Sequence, residues 1–533
     1  MREKGPGLVT FWLLALAIGV ASGMAALGFR LGIGALQEFL YGVDDPRHLH
    51  SFAQTLEWYW ILLIPSIGGL VVGLVLNWFT GDGRVRSVAD VIEGAAVGNG
   101  RVEIRAGLGS ALASFITLSA GGSSGREGPV VHLAAVISTW VAERIRANGI
   151  TARELMGCAV AAAVSASFNA PIAGAIFALE VVLRHYAVRA FAPIAIAAIA
   201  GTVISRLEFG NVTEFHLVDE RAVEFYIELP AFLLLGLLSG LVAVVFMRAI
   251  FWSDELGSWL VARLNLAPVL RPALAGLILG IIAIWYPHII GVGYETTSAA
   301  LTGELLLGQA IIFALVKAVA VAVTMAGRMG GGIFSPSLMM GALVGLAFGI
   351  IATSLLPELS GSQTIYALAG MGAVAAAVLG APISTTLIMF ELTGDWQTAI
   401  AVMAAVSLSS ALGSRLVDRS FFLSLLERKG VHIAAGPQAY LPATLGVAAL
   451  LRPARAVDEA RCWEMIEAGS YVDGTATLEM LLPVLEAAGS EYVPVVNLRG
   501  AGEAPELLGA VFHVDALRAY NQALAAAARE EHS

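Results

Sequence analysis

Charge is scarce in this chain. Asp, Glu, Lys and Arg make up 14% of its 533 residues, where soluble domains carry about 25%. Hydrophobic residues account for 58%, and mean hydropathy is +0.79. Together these exclude an ordinary soluble class and point to a polytopic membrane protein. Cysteine is nearly absent: Cys158 lies in an apolar run and Cys462 in a polar tail, so a disulfide framework is excluded. With nine histidines, that composition leaves no metal cluster and no metal cofactor is expected. A small-residue cleavage site is also lacking after the basic start at Arg2 and Lys4 and the apolar run 11–29, which therefore reads as an uncleaved first helix. Positive charge is short as well. Net charge is −10, and from Val431 onward 13 Asp and Glu face 6 Arg. That balance argues against nucleic acid as a partner.

What is present is a set of long apolar stretches, among them 8–40, 106–142, 155–183, 330–356 and 365–390. Several exceed one span or are broken by Gly and Pro. Broken helices persist at membrane depth only where they line a cavity or are buried in protein. The 58 glycines suit close helix packing. Basic clusters at Arg2/Lys4, Arg84/Arg86, Arg101/Arg105, Arg144/Arg146/Arg153 and Arg415/Arg419/Arg428/Lys429 predict the cytoplasmic side, with both termini there and the chain in a plasma (inner) membrane. After Gly430 the composition changes. Residues 1–430 read as a transmembrane domain and 431–533 as a small soluble α/β domain of about 90 residues. Within it, 479–488 and 514–528 read as helices, and 492–497 and 507–512 as strands.

One stretch concentrates the chemistry. Between Ala106 and Ala142 the only formal charges are Arg126 and Glu127, and a charge at membrane depth costs at least about 2.5–3.5 kcal/mol, so it needs a partner or a task. Both lie in Gly121-Gly122-Ser123-Ser124-Gly125-Arg126-Glu127-Gly128-Pro129. A glycine-rich turn feeding a helix aims unpaired N–H groups and the positive dipole end at one spot, which is an anion site. Pro129 predicts the first helical position. Glu127 stands where the anion would sit, and reads as a gate that leaves when protonated.

The pattern recurs. Ala170-Pro171-Ile172 with Glu180 matches Ala381-Pro382-Ile383 with Glu391, and Pro129 matches Pro336, at offsets of 211 and 207 residues. These landmarks predict an internal duplication, about 100–205 and 305–415. Transporters built so hold substrate between half-helix N-termini at the repeat interface. Gly330-Gly331-Gly332-Ile333-Phe334-Ser335-Pro336 is then the second anion-facing turn, acting through the backbone N–H groups of Ile333 and Phe334, since no charge occurs from Met329 to Pro357.

These two turns, their spacing and the Ala-Pro-Ile pairs resemble the CLC family of chloride channels and anion/proton exchangers, over about residues 8–428. The resemblance implies an all-α polytopic fold of two inverted repeats with broken helices. It also implies a homodimer with a pore in each subunit, a gating glutamate at Glu127, and an anion site formed with Arg126, Gly128, Ile333 and Phe334. The selectivity turns are Gly125 to Pro129 and Gly331, Gly332 to Pro336. The tail, through Tyr492-Val493-Pro494-Val495-Val496-Asn497 and Asp515, is similar to the second module of a CBS pair whose first module is truncated. Such domains often bind adenine nucleotides.

Three departures from the family pattern bear on function. Its Gly-Ser-Gly-Ile-Pro turn falls here on Gly81-Asp82-Gly83-Arg84-Val85-Arg86-Ser87-Val88-Ala89-Asp90, and two registers stay open, with Arg86 favoured over Asp82 in the serine's place. The family's central tyrosine is Phe422, without a hydroxyl. The second, proton-carrying glutamate is Val181. An arginine offers a planar fork suited to planar oxyanions such as bicarbonate or nitrate. The departures together predict transport of chloride or a small oxyanion with weak or absent proton coupling; a conventional chloride/proton exchanger is the alternative. Glu180 and Glu391 read as helix caps and His132 as a packed helix residue. Arg328 is open between a vestibule charge and a helix-end residue. A rhomboid-like protease, with Ser124 activated by His288, is the rival from another class, and it leaves the duplication unexplained. A CBS-tailed sensor that transports nothing is a third reading, and the intact anion-facing turns count against it.

Overall fold

The structure is a computed structural model and describes residues 7–43, 45, 48–186, 188–210, 225–357, 360, 362–417, 419–431, 433, 441–442, 445–453, 457–497 and 506–531. Arg2 and Lys4 lie outside the described residues. The chain divides into two compact units, Met1–Leu183 with Phe191–Val431, and Arg184–Ala190 with His432–Ser533.

The first unit is helical. It opens with α1 (Leu8–Tyr41), α2 (Leu49–Ala53), α3 (Trp58–Phe79) and the short α4 (Val88–Ala96). Then come α5 (Ile104–Ser119), α6 (Glu127–Arg144), α7 (Gly149–Phe168), α8 (Pro171–Phe177) and α9 (Val188–Phe209). α10 (Phe225–Arg263), α11 (Leu270–Trp285) and α12 (Tyr294–Leu301) connect these to α13 (Leu307–Ala326), α14 (Phe334–Leu355), α15 (Gln363–Leu379), α16 (Pro382–Thr393) and α17 (Trp396–Leu416), and α18 (Phe421–Arg428) ends the unit. Among the described residues eight helices are long and apolar enough to cross a membrane. The shorter apolar ones, such as Ile104–Ser119 and Gln363–Leu379, are the broken pieces the sequence anticipates.

The duplication appears as two five-helix series, α5–α9 and α13–α17. Local chemistry sets equivalent boundaries in both. α7 ends on Asn169 at φ 57° and α15 on Gly380 at φ 69°, residue types that accept the left-handed conformation. Pro171 and Pro382 then open α8 and α16, where a missing N–H costs nothing. Pro129 and Pro336 sit at the third position of α6 and α14 rather than the first, still within the turn whose N–H groups lack intrahelical partners. The two-fold relation is visible in exchanged caps. Glu180 accepts from the N–H groups of Ile383 (3.0 Å) and Ser384 (2.8 Å), and Glu391 from those of Ile172 (3.0 Å) and Ala173 (2.8 Å). Each carboxylate caps the other repeat's proline-led helix. The repeats differ after α8: Ala178–Leu183 is π-helical, while α16 is regular throughout.

In the second unit, β1 (Arg452–Pro453), β2 (Val472–Asp473), β3 (Tyr492–Asn497) and β4 (Glu506–Phe512) form one sheet in the order β1-β4-β3-β2. β2 pairs parallel to β3, and β3 antiparallel to β4 with a shift at Val495/Val496. The helices are α19 (Glu459–Glu467), α20 (Leu478–Ala488) and α21 (His513–Glu531). Val493, Val495 and Val511 from the strands meet Leu478, Leu481 and Leu485 of α20 in one core.

Candidate functional site

The two glycine-rich turns meet. Gly125 N–H donates to Gly332 O at 2.6 Å and Gly332 N–H to Gly125 O at 2.7 Å, a one-residue antiparallel bridge that sets the starts of α6 and α14 side by side. Only glycine permits this approach: a Cβ on Gly332 would lie 2.9 Å from Gly128 N. Gly331 adopts φ +109°, and a Cβ there would lie 2.1 Å from Ser124 Oγ. Hydroxyls of α5 and α13 fasten the turns crosswise. Thr117 bonds Met329 O, Ser114 Oγ accepts from Gly331 N–H at 3.1 Å, and Thr324 Oγ1 accepts from Ser123 N–H at 3.1 Å.

Glu127 is 2% exposed and reaches across the junction. Its Oε1 accepts from Ser335 Oγ at 2.6 Å, at the second residue of α14. Its Oε2 is buried with no partner among the described residues. A Cβ on Gly125 would lie 2.8 Å from that oxygen and 3.1 Å from Ser335 N, so the carboxylate rests at the N-terminus of the second repeat's helix. Arg126 Nε stands 4.0 Å from Oε1, and the guanidinium donates to Ser167 O at 3.3 Å.

Two cavities flank this junction. One, of about 490 Å³, is lined by Glu127, Gly128, Ile333, Phe334 and Phe422, bringing together the residue read as the gate and four read as anion-binding. The other, of about 510 Å³, is lined by Arg126, Tyr294, Glu295, His50 and His288. Consecutive residues thus face opposite cavities. In the second cavity Arg126 lies 5.0 Å over the Tyr294 ring. Glu295 binds His50 Nδ1 at 2.9 Å and also accepts from Ser51. Burial opposes its ionised form, but the His50 and Ser51 hydrogen bonds prevail and bring the carboxyl down to about 2.

Neither register proposed for the missing serine places its residue in the Glu127 cavity. Arg86 turns to Asp82 (2.9 Å) and Glu103 (3.6 Å), while its N–H donates to Ser110 Oγ at 2.8 Å. Asp82 accepts from Arg86 and from Arg84 N–H. Burial works against the Asp82 anion, yet the Arg86 hydrogen bond and charge hold the carboxyl below its usual range. Arg84 and Ser87 line the cavity instead. Ser87 is the N-cap of α4 in a capping box with Asp90, and Lys429 holds Asp90 at 2.6 Å. The Ser-x-x-Asp spacing carried that signal in the sequence.

Phe422 does line the cavity and brings no hydroxyl to it. Val181 is 5% exposed inside the π-helical segment and is not among the cavity's lining residues. His132 is buried, but its Nδ1 has no partner among the described residues, so it is not the satisfied packing residue the sequence suggests. Arg328 proves to be both a helix-end residue, at φ 53°, and a cavity charge. Ser124 Oγ is buried without a hydrogen bond and His288 stacks on Phe313 at 3.9 Å; no described hydrogen bond joins the two as a protease pair. Sequence reasoning missed Ser335 as the partner of Glu127. It also missed Lys317, fully buried in α13, which donates to Ile289 O (3.2 Å) and Gly291 O (2.9 Å) just before Tyr294. A lone charge in the apolar stretch 305–325 was the available sign.

Comparison with known proteins agrees with this arrangement. The voltage gated chloride channel family matches residues 68–414. A chloride channel protein described as ClcB-like, from Ralstonia nicotianae, is 33% identical over 399 residues, covering 74% of this chain and 91% of that one. The crystal structure of a slow cyanobacterial Cl−/H+ antiporter superposes with a TM-score of 0.69 at 20% identity, over 79% of this chain and 97% of that one. A eukaryotic CLC transporter superposes with a TM-score of 0.67 at 16% identity, over 95% and 98%. At these identities the two structures speak to the fold alone.

Proposed function

We propose that the carboxylate of Glu127 gates anion passage through this chain, which belongs to the voltage gated chloride channel family. The chain is an integral membrane anion transporter of the CLC kind, channel or Cl−/H+ antiporter, in a family of transporters and channels rather than enzymes. The observation that carries the gate is the position of Glu127. Its carboxylate is docked on Ser335 at the start of α14, between two cavities, with one oxygen buried and unpartnered. An unsatisfied buried polar atom costs roughly 1–3 kcal/mol and more when charged. Protonation, or displacement by an incoming anion, relieves that cost and frees the helix N-termini. The anion then rests on the backbone N–H groups of Ile333 and Phe334, with Gly128 and Phe422 alongside.

Small inorganic anions, chloride or a planar oxyanion such as bicarbonate or nitrate, are the substrates of this reading, and the Arg86 guanidinium, engaged elsewhere, does not choose between them. Weak proton coupling follows from Val181 and from the missing Phe422 hydroxyl. A homodimer in a plasma membrane, with the basic clusters and both termini cytoplasmic, completes it. Residues 1–430 form the transport domain and 431–533 a CBS-like module open to an adenine nucleotide. The test is flux of chloride, nitrate and bicarbonate from liposomes holding the purified chain, with proton movement recorded together. Glu127→Gln should flatten the pH dependence of anion flux. An unchanged pH response would end the gate assignment.

A further inference from the structure

Among the described residues, seven basic side chains line the Glu127 cavity, line the adjoining one or reach it through a partner; four are ion-paired, and Arg101 donates to Ala147 O at 2.7 Å. Arg86 binds Asp82, Arg271 binds Asp254 at 2.8 Å, Arg428 binds Glu255 at 2.5 Å, and Lys429 binds Asp90 at 2.6 Å. Arg84 and Arg328 are left. Both line the Glu127 cavity and the adjoining one that holds Arg86 and Asp82. Neither guanidinium has a hydrogen-bond or ion-pair partner among the described residues. They lie close enough to repel each other, and the acids within electrostatic reach of Arg328, Asp254 and Asp82, are already engaged by Arg271 and Arg86.

The backbone at Arg328 adds a second observation. α13 closes with Arg328 N–H on Met325 O (3.0 Å) and Met329 N–H on Thr324 O (3.2 Å), and the turn residue Arg328 is left-handed at φ 53°. Glycine is the usual occupant of that position, and an arginine there is strained. Arg328 stands two residues before Gly330 and lines the same cavity as Ile333 and Phe334.

We infer that Arg84 and Arg328 together form a capture site for a planar oxyanion at the basic mouth of the pathway, and that this pair sets anion preference there. Two mutually repelling forks are best satisfied by one anion whose several oxygens bridge them. A chloride ion can answer their charge but not their geometry. The inference rests on the transport reading above and adds the residues that select among anions.

The experiment is current recording from the full chain in planar bilayers, with nitrate or chloride in either bath. Arg328→Gly suits the left-handed backbone, and Arg84 is exposed, so Arg328→Gly and Arg84→Gln both leave the fold intact. The expected result is a nitrate half-saturation concentration raised about tenfold by each substitution from the basic mouth alone, with chloride shifted no more than about threefold and the saturating current unchanged. An equal shift for the two anions would make the pair a charge funnel without selectivity, and no shift would remove it from the pathway; either overturns the inference. If the wild-type chain carried no anion current, the transport reading would fail separately. Calorimetric titration of nitrate into the detergent-solubilised chain would still decide the site: binding lost in the Arg84→Gln/Arg328→Gly double variant supports it, and binding retained overturns it.

Discussion

The turn at 121–129 carries a buried arginine and glutamate, while its counterpart at 330–336 lies in a stretch with no formal charge from Met329 to Pro357. Their backbones are otherwise alike. Each pairs through one glycine with the other, leads directly into a helix, and places a proline at that helix's third position. An anion held between two equivalent helix starts needs only one movable competitor. A second glutamate would set two carboxylates against each other in one low-dielectric site. On the gating proposal, the asymmetry separates two tasks: the second turn would offer fixed N–H donors, and the first would supply the side chain that occupies them.

The severest way to break this pairing is Gly331→Ala. It demands a left-handed alanine whose Cβ strikes Ser124, and should cost roughly 3 kcal/mol or more. Loss of the monodisperse peak in detergent gel filtration would show it, and a well-behaved variant would mean the two turns do not meet as described. Next come the exchanged caps. Glu180→Gln and Glu391→Gln should each destabilise the fold by about 1–2 kcal/mol, read as a lowered unfolding midpoint, because each weakens two charge-assisted N–H bonds to the other repeat, and Glu180 also accepts from the Ser384 hydroxyl. Equal losses would mean that the π-helical segment around Glu180 leaves capping untouched, and a smaller loss for Glu180 would place the asymmetry there as well. The mildest change is Ser335→Ala. It removes the one hydroxyl that docks Glu127 on the second helix, and should raise basal flux about fivefold, the worth of a hydrogen bond near 1 kcal/mol. Unaltered basal flux would show that Ser335 does not restrain the gate.

Much of this was legible beforehand. Glu127 stood out because charge is rare in its surroundings. The duplication showed because Ala-Pro-Ile and the turns recur in order, and the tail's strands because they are short, β-branched and bounded by turn residues. Neither residue weighed for the serine's place lines the Glu127 cavity. Arg86 and Ser87 are adjacent in an irregular loop, where no period fixes which side chain faces the cavity, and the Asp82 and Glu103 carboxylates that draw Arg86 away are visible only in three dimensions. Lys317 was passed over because its partners are backbone carbonyls, which no sequence motif marks.

The sequence by itself determined that the chain belongs in a membrane, most of the helix boundaries, and which two glycine-rich turns lead into the paired helices. Those follow from local backbone chemistry and from the cost of charge in an apolar medium. Only the tertiary structure decided that Glu127 rests on Ser335, 208 residues away, that each repeat's glutamate caps the other, and that Arg84 and Arg328, not Arg86, line the cavity without a side-chain partner among the described residues. These are contacts between segments brought together by packing, and residue type alone does not say which of several charged neighbours will find a partner.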